Sequence, residues 1–475
     1  MRKPSLSPSL WVFLFTAGVG MMLWLFGNQK GSLESLYPLD DSYIHLAMAQ
    51  HLVSEGVWAP AGEHFQGASS SPLYTLLLSL LVGWLGQASG LILNLLFLGG
   101  IFFLLNRHFS AEGFQQRQQY PILLALLITT PLYLLPLWGM EHVGHILACL
   151  WLFLEAGKCL AKSPEGWPWS LWLSAMVAVG FRYESLFLIA GLGLVMLWKA
   201  DKKRLLQALG LGLFAGLPVL AYGFISLWQG NAFLPNSLIA KSYLPELSLA
   251  SLSFVLRQAL DKILDQPFVL SIAFFLCSAW WINRKKPQAV MLKLSLAGLI
   301  GFLFHLLLAQ FGGVRYEAYL VFLSVYLLGM TWTKTEEKSW GLGGLVMLAM
   351  IPLILRAGFF TYHYPTFRKN IYEQPYQVAR FLRTHYAGES VAINDLGWAA
   401  YLHRGPLTDF IGLGDHAVIR ERARGASMPA FFDQIAQSRD LQVAALHPGW
   451  KGSDIPSSWI KVGVWTIQEN MICAQ

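Results

Sequence analysis

The chain has 475 residues, of which 55% are hydrophobic and only 13% are charged. Soluble domains carry about 25% charged residues, so this composition excludes an ordinary soluble protein and indicates one that crosses a membrane several times. The net charge of +7 comes from short basic clusters between apolar runs. That pattern is typical of membrane orientation, and we expect no nucleic-acid partner.

Eleven apolar runs predict membrane spans, because a helix needs about 20 mostly apolar residues to cross a bilayer. The first run follows Met1-Arg2-Lys3 and lacks a small-residue cleavage site, so we expect an uncleaved anchor rather than a signal peptide. Basic residues cluster in alternate loops, which places the amino terminus in the cytoplasm. The candidate spans are 9–27, 89–106, 121–138, 140–157, 168–181, 184–198, 205–227, 267–283, 289–310, 315–333 and 340–361.

The apolar run 72–86 is shorter than a span and is bounded by proline and glycine. Counting it as a span would place the later basic clusters outside, so we expect a helix that lies in the outer interface. The first outer loop, 28–88, then holds two juxtamembrane helices. The predicted fold is an all-α polytopic membrane protein with about eleven transmembrane helices, followed by a small soluble domain.

Residues 362–475 have a mixed, soluble pattern that separates them from the membrane module, 1–361. The spacing predicts a helix over 375–383 and short strands over 390–394 and 459–464. About 110 residues suffice for one small α/β domain. With eleven spans this domain is extracytoplasmic.

Two adjacent carboxylates, Asp40 and Asp41, open the first juxtamembrane helix, just beyond the first span. Acidic residues cap helix N-termini and suit the helix dipole, and this structural role accounts for both as well as a functional one does. The functional alternative is a general base or a metal ligand at the mouth of a cavity. His45 lies four residues after Asp41, so it shares a helix face with that carboxylate and would orient it or pair with it.

Further charged residues lie at the outer ends of later spans. Glu141 and His142 start one span, where capping is the structural alternative. Arg182 and Glu184 interrupt an apolar stretch, and charges near membrane depth normally face a cavity or a partner. A simple ion pair between these two residues is the structural alternative.

Two more cations fall on the same side. Lys241 follows Asn236 in the long loop 228–266, where a Pro-Asn turn and a snorkelling lysine are the structural alternative, and Arg315 starts a later span. Carboxylates that face Arg182, Lys241 and Arg315 suit an acid or base opposite a phosphate group. A lipid-phosphate leaving group fits this chemistry, because cations neutralise the charge that develops as the sugar departs.

The order of these residues resembles the bacterial C-fold (GT-C) integral membrane glycosyltransferases, and among them the polyprenyl-phosphate-sugar-dependent arabinofuranosyl- and mannosyltransferase-like proteins. In the tail, 391–401 and 408–415 are similar to the extracytoplasmic domain of that family. The family has an aromatic-arginine pair where this chain has Ile44-His45-Leu46. The matching positions in the membrane module are Asp40-Asp41, Gln66-Gly67, Ser71-Pro72-Leu73-Tyr74, Gly139-Met140-Glu141, Arg182-Tyr183-Glu184, Leu234-Pro235-Asn236, Lys241 and Arg315-Tyr316.

The resemblance implies a transferase of the bacterial cytoplasmic (inner) membrane that moves a hexose or pentose from a polyprenyl-phosphate donor to a glycan, lipid or protein acceptor at the outer face. Asp40 or Asp41 would be the general base, with inversion at the anomeric carbon. Arg182, Lys241 and Arg315 would be candidates for the donor phosphate. Further substrate-binding candidates are Glu141, His142, Glu184, His45 and Asn236.

The sequence leaves other functions open. A transporter or lipid flippase of the envelope is one alternative, although it would carry ionisable residues near the middle of its spans. A non-catalytic cell-envelope assembly protein is another. Asp40 and Asp41 could bind Mg²⁺ or Mn²⁺, but two ligands are too few to define a metal site, and no other cofactor is expected.

Overall fold

The computed structural model describes residues 7–27, 34–162, 166–198, 201–241, 249–285, 289–335, 340–447 and 455–473. Most of them are helical, and the expected class, a polytopic α-helical membrane protein with a small α/β domain at its carboxyl end, is confirmed. A short 3-10 turn, Leu135–Trp138, precedes the seventh helix. The helices up to residue 371 are α1 (Pro8–Gly27), α2 (Asp41–Glu55), α3 (Pro72–Ser79), α4 (Val82–Leu85), α5 (Ala88–Ala111), α6 (Gln116–Thr129), α7 (His142–Ala161), α8 (Trp169–Phe181), α9 (Ser185–Leu197), α10 (Lys202–Trp228), α11 (Asn236–Lys241), α12 (Leu249–Asp265), α13 (Phe268–Asn283), α14 (Val290–Leu308), α15 (Ala318–Lys334) and α16 (Trp340–Ile371).

Each of the eleven candidate spans corresponds to a helix, but the helices differ in length. Within the described ranges, six helices are long and apolar enough to cross a membrane, and the pair α12 and α13, bent by 99°, would make a seventh. Helices α8 and α9 are apolar but have only 13 residues each. The crossing of α6, α8, α9 and α15 therefore stays a prediction.

The run 72–86 forms two short helices, α3 and α4, instead of one. Leu80 and Trp84 at their junction are 70% and 91% exposed, as expected for side chains at the bilayer surface. Helix α2 starts at Asp41 and is capped at its carboxyl end by Gly56, whose φ of 71° is left-handed and whose N–H bonds to the Leu52 carbonyl. Helices therefore form over both segments where the sequence predicted them, and their position at the membrane interface stays a prediction.

Helix α16 continues past residue 361 to Ile371, and a π-helical turn, Tyr372–Tyr376, links it to the tail. The tail domain (residues 377–473) has a three-stranded parallel sheet in the order β2, β1, β3. The predicted strand over 459–464 is wrong, because that segment pairs with no strand. The tail elements are α17 (Gln377–His385), β1 (Val391–Ile393), α18 (Leu396–Leu402), β2 (Leu407–Asp409), α19 (His416–Ala423), α20 (Met428–Ser438) and β3 (Val443–Ala445).

Helix α2 lies between the membrane helices and the tail domain. One side packs on α3, and the other packs on α18. The side that meets the tail buries Ile44, Ala47 and Met48 against tail residues that include Leu396. Burial of this apolar surface stabilises the contact between the two parts of the chain. We call the end of the helix bundle that carries α2, α3 and the tail domain the tail-side face.

Candidate active site

Asp40 is buried and serves as the cap of a helix in the tail domain. Its Oδ2 accepts a hydrogen bond from the Gly397 N–H at 2.5 Å, and its Oδ1 accepts one from the Trp398 N–H at 2.8 Å. These N–H groups belong to the first turn of α18, which has no acceptor for them within the helix. A Cβ at position 397 would lie 2.0 Å from the Asp40 carbonyl oxygen, so only glycine permits this approach.

A second carboxyl group, Asp395, lies against Asp40. Burial is the main cause that raises the pKa of both groups, and the negative charge of Asp40 raises the pKa of Asp395 further. The hydrogen bond from Asp395 and the two N–H donors of α18 act in the opposite direction on the pKa of Asp40. These opposing effects favour Asp395 as the hydrogen-bond donor of the pair and Asp40 as its acceptor.

Asp41 points to a different place. Its side chain is 37% exposed, and its Oδ2 accepts a hydrogen bond at 2.8 Å from Nη1 of Arg315, whose side chain is 14% exposed. The Arg315 guanidinium also lies over the Tyr316 ring, 4.8 Å from its centroid. A partly exposed carboxylate thus meets a guanidinium from a loop 274 residues further along the chain.

Arg182 lies between two carboxylates, the buried Glu141 and the partly buried Glu184. Its Nη1 bonds to Glu141, while its Nε and Nη2 bond to the two oxygens of Glu184 at 3.2 and 2.5 Å. The sequence favours this meeting, since Glu141 and Glu184 precede the first turns of α7 and α9 and Arg182 ends α8. Two carboxylates outnumber the one guanidinium, so the three charges together do not attract an anion.

His45 joins this group from α2. Its Nδ1 lies 3.0 Å from the Thr75 hydroxyl, and its Nε2 lies 3.5 Å from Oε2 of Glu141. The imidazole therefore connects the first juxtamembrane helix to the buried carboxylate of α7. Its pairing with Asp41 stays a prediction.

His142 is 1% exposed, and neither ring nitrogen has a hydrogen-bond partner in the described part of the chain. The ring meets Tyr316 edge to face, with centroids 6.3 Å apart, and the Arg182 guanidinium lies 5.4 Å from the same tyrosine ring. Tyr316 is thus the aromatic centre between two guanidiniums and an imidazole. A buried imidazole without partners is costly unless a ligand satisfies it.

Asn236 connects three parts of the tail-side face. Its N–H donates to the Gly67 carbonyl at 2.8 Å, its side-chain amide donates to the Leu413 carbonyl, and its Oδ1 lies 3.3 Å from Nδ1 of His416. The side chain therefore fixes the loop that carries α11 against the tail domain. Lys241 ends α11, and its side chain lies outside the described residues.

Arg356 is a charged residue of this region that the sequence reasoning missed. It lies in α16, is 9% exposed and pairs with Glu317, whose other oxygen accepts the Gly312 N–H at 2.9 Å. The available signal was one arginine inside the apolar run 340–361, because ionisable residues in spans usually mark a partner or a ligand.

The carboxylates at the site do not fit a divalent metal ion. Both oxygens of Asp40 accept backbone N–H groups, and Asp41 pairs with a guanidinium. Within the described residues no group of three or more His, Cys, Asp or Glu side chains forms a set of metal ligands.

Comparison with known proteins shows the fold. A family model described as "Domain of unknown function (DUF8728)" matches residues 369–474, the tail domain and its approach. No curated protein matches the sequence. The crystal structure of ArnT from Cupriavidus metallidurans in the apo state is similar, with a TM-score of 0.56 and 12% identity, covering 92% of this chain and 93% of that chain. The chain has an ArnT-like GT-C fold, as the resemblance implied.

Proposed function

We propose that this protein is a membrane glycosyltransferase that moves a sugar from a polyprenyl-phosphate donor to an acceptor at the tail-side face, with inversion. The GT-C fold supports the class of enzyme. The single observation that carries the proposal is the contact between Asp41 and Arg315, a partly exposed carboxylate and guanidinium above a buried charged layer. The arabinofuranosyl- and mannosyltransferase-like proteins named above remain the resemblance that suggests the donor.

Asp41, rather than Asp40, is the base in this proposal. Both oxygens of Asp40 are engaged by α18, so it cannot approach a substrate without breaking the contact with the tail. The Asp41 side chain is partly exposed, and the guanidinium of Arg315 lies beside it. An ionised carboxylate within reach of a hydroxyl group can remove its proton during attack.

The reaction then proceeds as one displacement. The acceptor hydroxyl gives its proton to Asp41 while its oxygen forms a bond to the anomeric carbon, on the side opposite the phosphate. The bond from that carbon to the phosphate oxygen breaks, and the lipid phosphate leaves with the electron pair. Arg315 meets the charge that develops on the phosphate, with Lys241 as a second candidate.

The remaining site residues take supporting roles in this scheme. Arg182 is saturated by Glu141 and Glu184, so it positions Tyr316 instead of binding the phosphate. His142 has two unsatisfied ring nitrogens and is the better candidate for a direct substrate contact. Neither His142 nor Arg182 gains or loses a proton in this scheme.

The test uses the full chain in proteoliposomes, with synthetic undecaprenyl-phosphate pentoses and hexoses as donors and a membrane extract as the source of acceptors. Released undecaprenyl phosphate measures transfer. We expect Asp41→Asn to lower the rate by about 10² to 10⁴, the usual contribution of a general base. Glu55→Gln, an exposed carboxylate at the other end of α2, is the matched control and should keep the wild-type rate. Full turnover by Asp41→Asn would contradict the assignment.

A further inference from the structure

A groove of about 490 Å³ opens between the first residue of α13 and the middle of α16, next to the turn 312–317. Its walls are apolar and include Phe268, Pro352, Leu355 and Phe360. Leu355 is 67% exposed, so the groove is continuous with the surface of α16 that faces the lipid. Asp41 does not line the groove, and the proposed reaction does not use it.

Arg356 is the cation of this groove. Its Nη1 pairs with Glu317, but its Nε and Nη2 are buried and have no hydrogen-bond partner among the residues that the structure describes. The guanidinium carbon lies 3.9 Å from the centroid of the Phe268 ring, which fixes the orientation of its plane. Unmade hydrogen bonds of a buried charged group cost free energy, so these two N–H edges are suited to an oxyanion.

The groove also holds neutral and acidic acceptors. Oε1 of Gln266 is buried without a partner in the same part of the chain, and its Nε2 donates to the Phe311 carbonyl at 3.5 Å. Asp265 lies at the exposed rim. The space beside Gly312 is open, with no atom within 4 Å of a Cβ built there. A ligand can therefore meet a cation at the base of the groove and an anion at its mouth.

The balance of charge selects among phosphate lipids. Among the described residues that line the groove, Arg356 is the one cation, and it stands against Asp265 on the rim and Glu317, its ion-pair partner. A purely anionic phosphate would gain from Arg356 and lose against Asp265. A phosphate that carries an ammonium group satisfies both, because the ammonium lies near the carboxylate and the phosphate near the guanidinium.

The position along α16 suits a lipid head group. Arg356 lies 16 residues after Trp340, the start of the helix, which at about 1.5 Å per residue is about 24 Å along its axis. The hydrocarbon core of a bilayer is about 30 Å thick, so this arginine lies near its tail-side boundary. Ile351 and Leu355, exposed one turn apart, offer a surface for acyl chains that run from the groove into the bilayer.

We propose that this groove binds the phosphoethanolamine head group of a membrane lipid, with the phosphate on Nε and Nη2 of Arg356 and the ammonium on Asp265. A bound lipid would also steady Glu317 and, through it, the turn that ends at Arg315 and Tyr316. This lipid site is separate from the proposed transfer reaction, so a test of one proposal does not decide the other.

Native mass spectrometry of the delipidated full chain tests the site, with phosphatidylethanolamine, phosphatidylglycerol, undecaprenyl phosphate and diacylglycerol as probes. We expect phosphatidylethanolamine to bind at least about tenfold more tightly than diacylglycerol. Since Arg356→Gln alone leaves Glu317 buried without its partner, the double variant Arg356→Gln with Glu317→Gln is the main test and should lose that preference. Arg284→Gln, which removes an exposed guanidinium at the other end of α13, is the matched control and should keep it.

Asp265→Asn tests the ammonium position. It should weaken phosphatidylethanolamine and strengthen phosphatidylglycerol, because the carboxylate that selects between them is gone. Equal binding of phosphatidylethanolamine by the double variant and the control would overturn the site. Tighter binding of undecaprenyl phosphate than of phosphatidylethanolamine by the wild type would overturn the ligand class and indicate a second seat for the donor lipid.

Discussion

Asp40 and Asp41 are neighbours in the chain, yet they belong to two regions that use a carboxylate in opposite ways. At the tail junction, formed by Asp40, Asp395 and the first turn of α18, the carboxylate is 7% exposed and its oxygens are held by backbone N–H groups. At the membrane site, the Asp41 side chain is 37% exposed and has the guanidinium of Arg315 as its partner. The first arrangement fixes structure, and the second leaves a base accessible.

The difference shows how the tail domain serves the site. Tyr43, two residues after Asp41, stacks on Trp398 of α18 with ring centroids 3.9 Å apart. Asp40 is held by the same helix on the other side. The start of α2 is thus fixed from both sides of Asp41 by the tail domain. A free-moving tail would leave the base without a fixed direction.

The largest expected effect comes from blocking the close approach of α18 to Asp40 at the tail junction. In Gly397→Ala the added methyl would lie 2.0 Å from the Asp40 carbonyl oxygen and 2.5 Å from its Oδ2. Backbone atoms cannot give way as a side chain can, so we expect a loss of about 3 kcal/mol or more of junction stability and a large loss of transfer. Hydrogen exchange of residues 396–402 measures the first effect.

Gly463→Ala is the control for that variant, because no atom lies within 4 Å of a Cβ at this tail position. It should exchange like the wild type. If residues 396–402 stay protected in Gly397→Ala, the approach of α18 to Asp40 is not as close as the structure has it.

A milder change at the same junction is Asp40→Asn. The amide keeps the shape but can accept only at one atom, and its NH₂ group then faces an N–H donor of α18. Loss of one charge-assisted hydrogen bond costs about 1.5–3 kcal/mol. We expect a lower melting temperature with the transfer rate reduced far less than in Asp41→Asn. The opposite order of the two variants in transfer would assign the base to Asp40.

Much of this architecture follows from local sequence signals. Hydropathy predicts a helix at each span, and it predicts one helix over the apolar run 72–86, where the structure has two, α3 and α4. The predicted strand over 459–464 is wrong because alternating residues form a strand only where they pair with a neighbouring strand. The sheet consists of β2, β1 and β3, and this segment does not pair with it. Local signals therefore predict elements well and their pairing poorly.

The charged contacts were likewise predictable from sequence only in part. The sequence placed Asp41 and Arg315 on one face through the count of spans, and the structure brings them together. It could not show that Asp40 meets a helix 357 residues later, because no local pattern records which acceptor caps a distant N-terminus. The sequence was compatible with a capping role for both Asp40 and Asp41 at α2. Only the fold shows that Asp40 caps α18 instead.

The smallest effect that separates the two regions is a dependence on pH. The pKa of Asp395 is raised in the folded junction, first by burial and then by the charge of Asp40. The folded junction therefore keeps a proton that the separated tail releases, and the stability of the junction falls as the pH rises from 3.8 towards the folded pKa. Each unit of difference between the two pKa values contributes about 1.4 kcal/mol.

Asp395→Asn should remove this dependence, because its amide donates to Asp40 at every pH. We expect its junction to be at least as stable as the wild type at pH 8. The hydrogen-exchange protection factors of residues 391–402 should stay constant between pH 5 and pH 8. Asp433→Asn changes a carboxylate that bonds to Ser458 and Trp459 elsewhere in the tail, so it should keep the wild-type slope. If the pH dependence of junction stability is unchanged in Asp395→Asn, the shared proton belongs to Asp40. The cap of α18 is then a neutral carboxyl group.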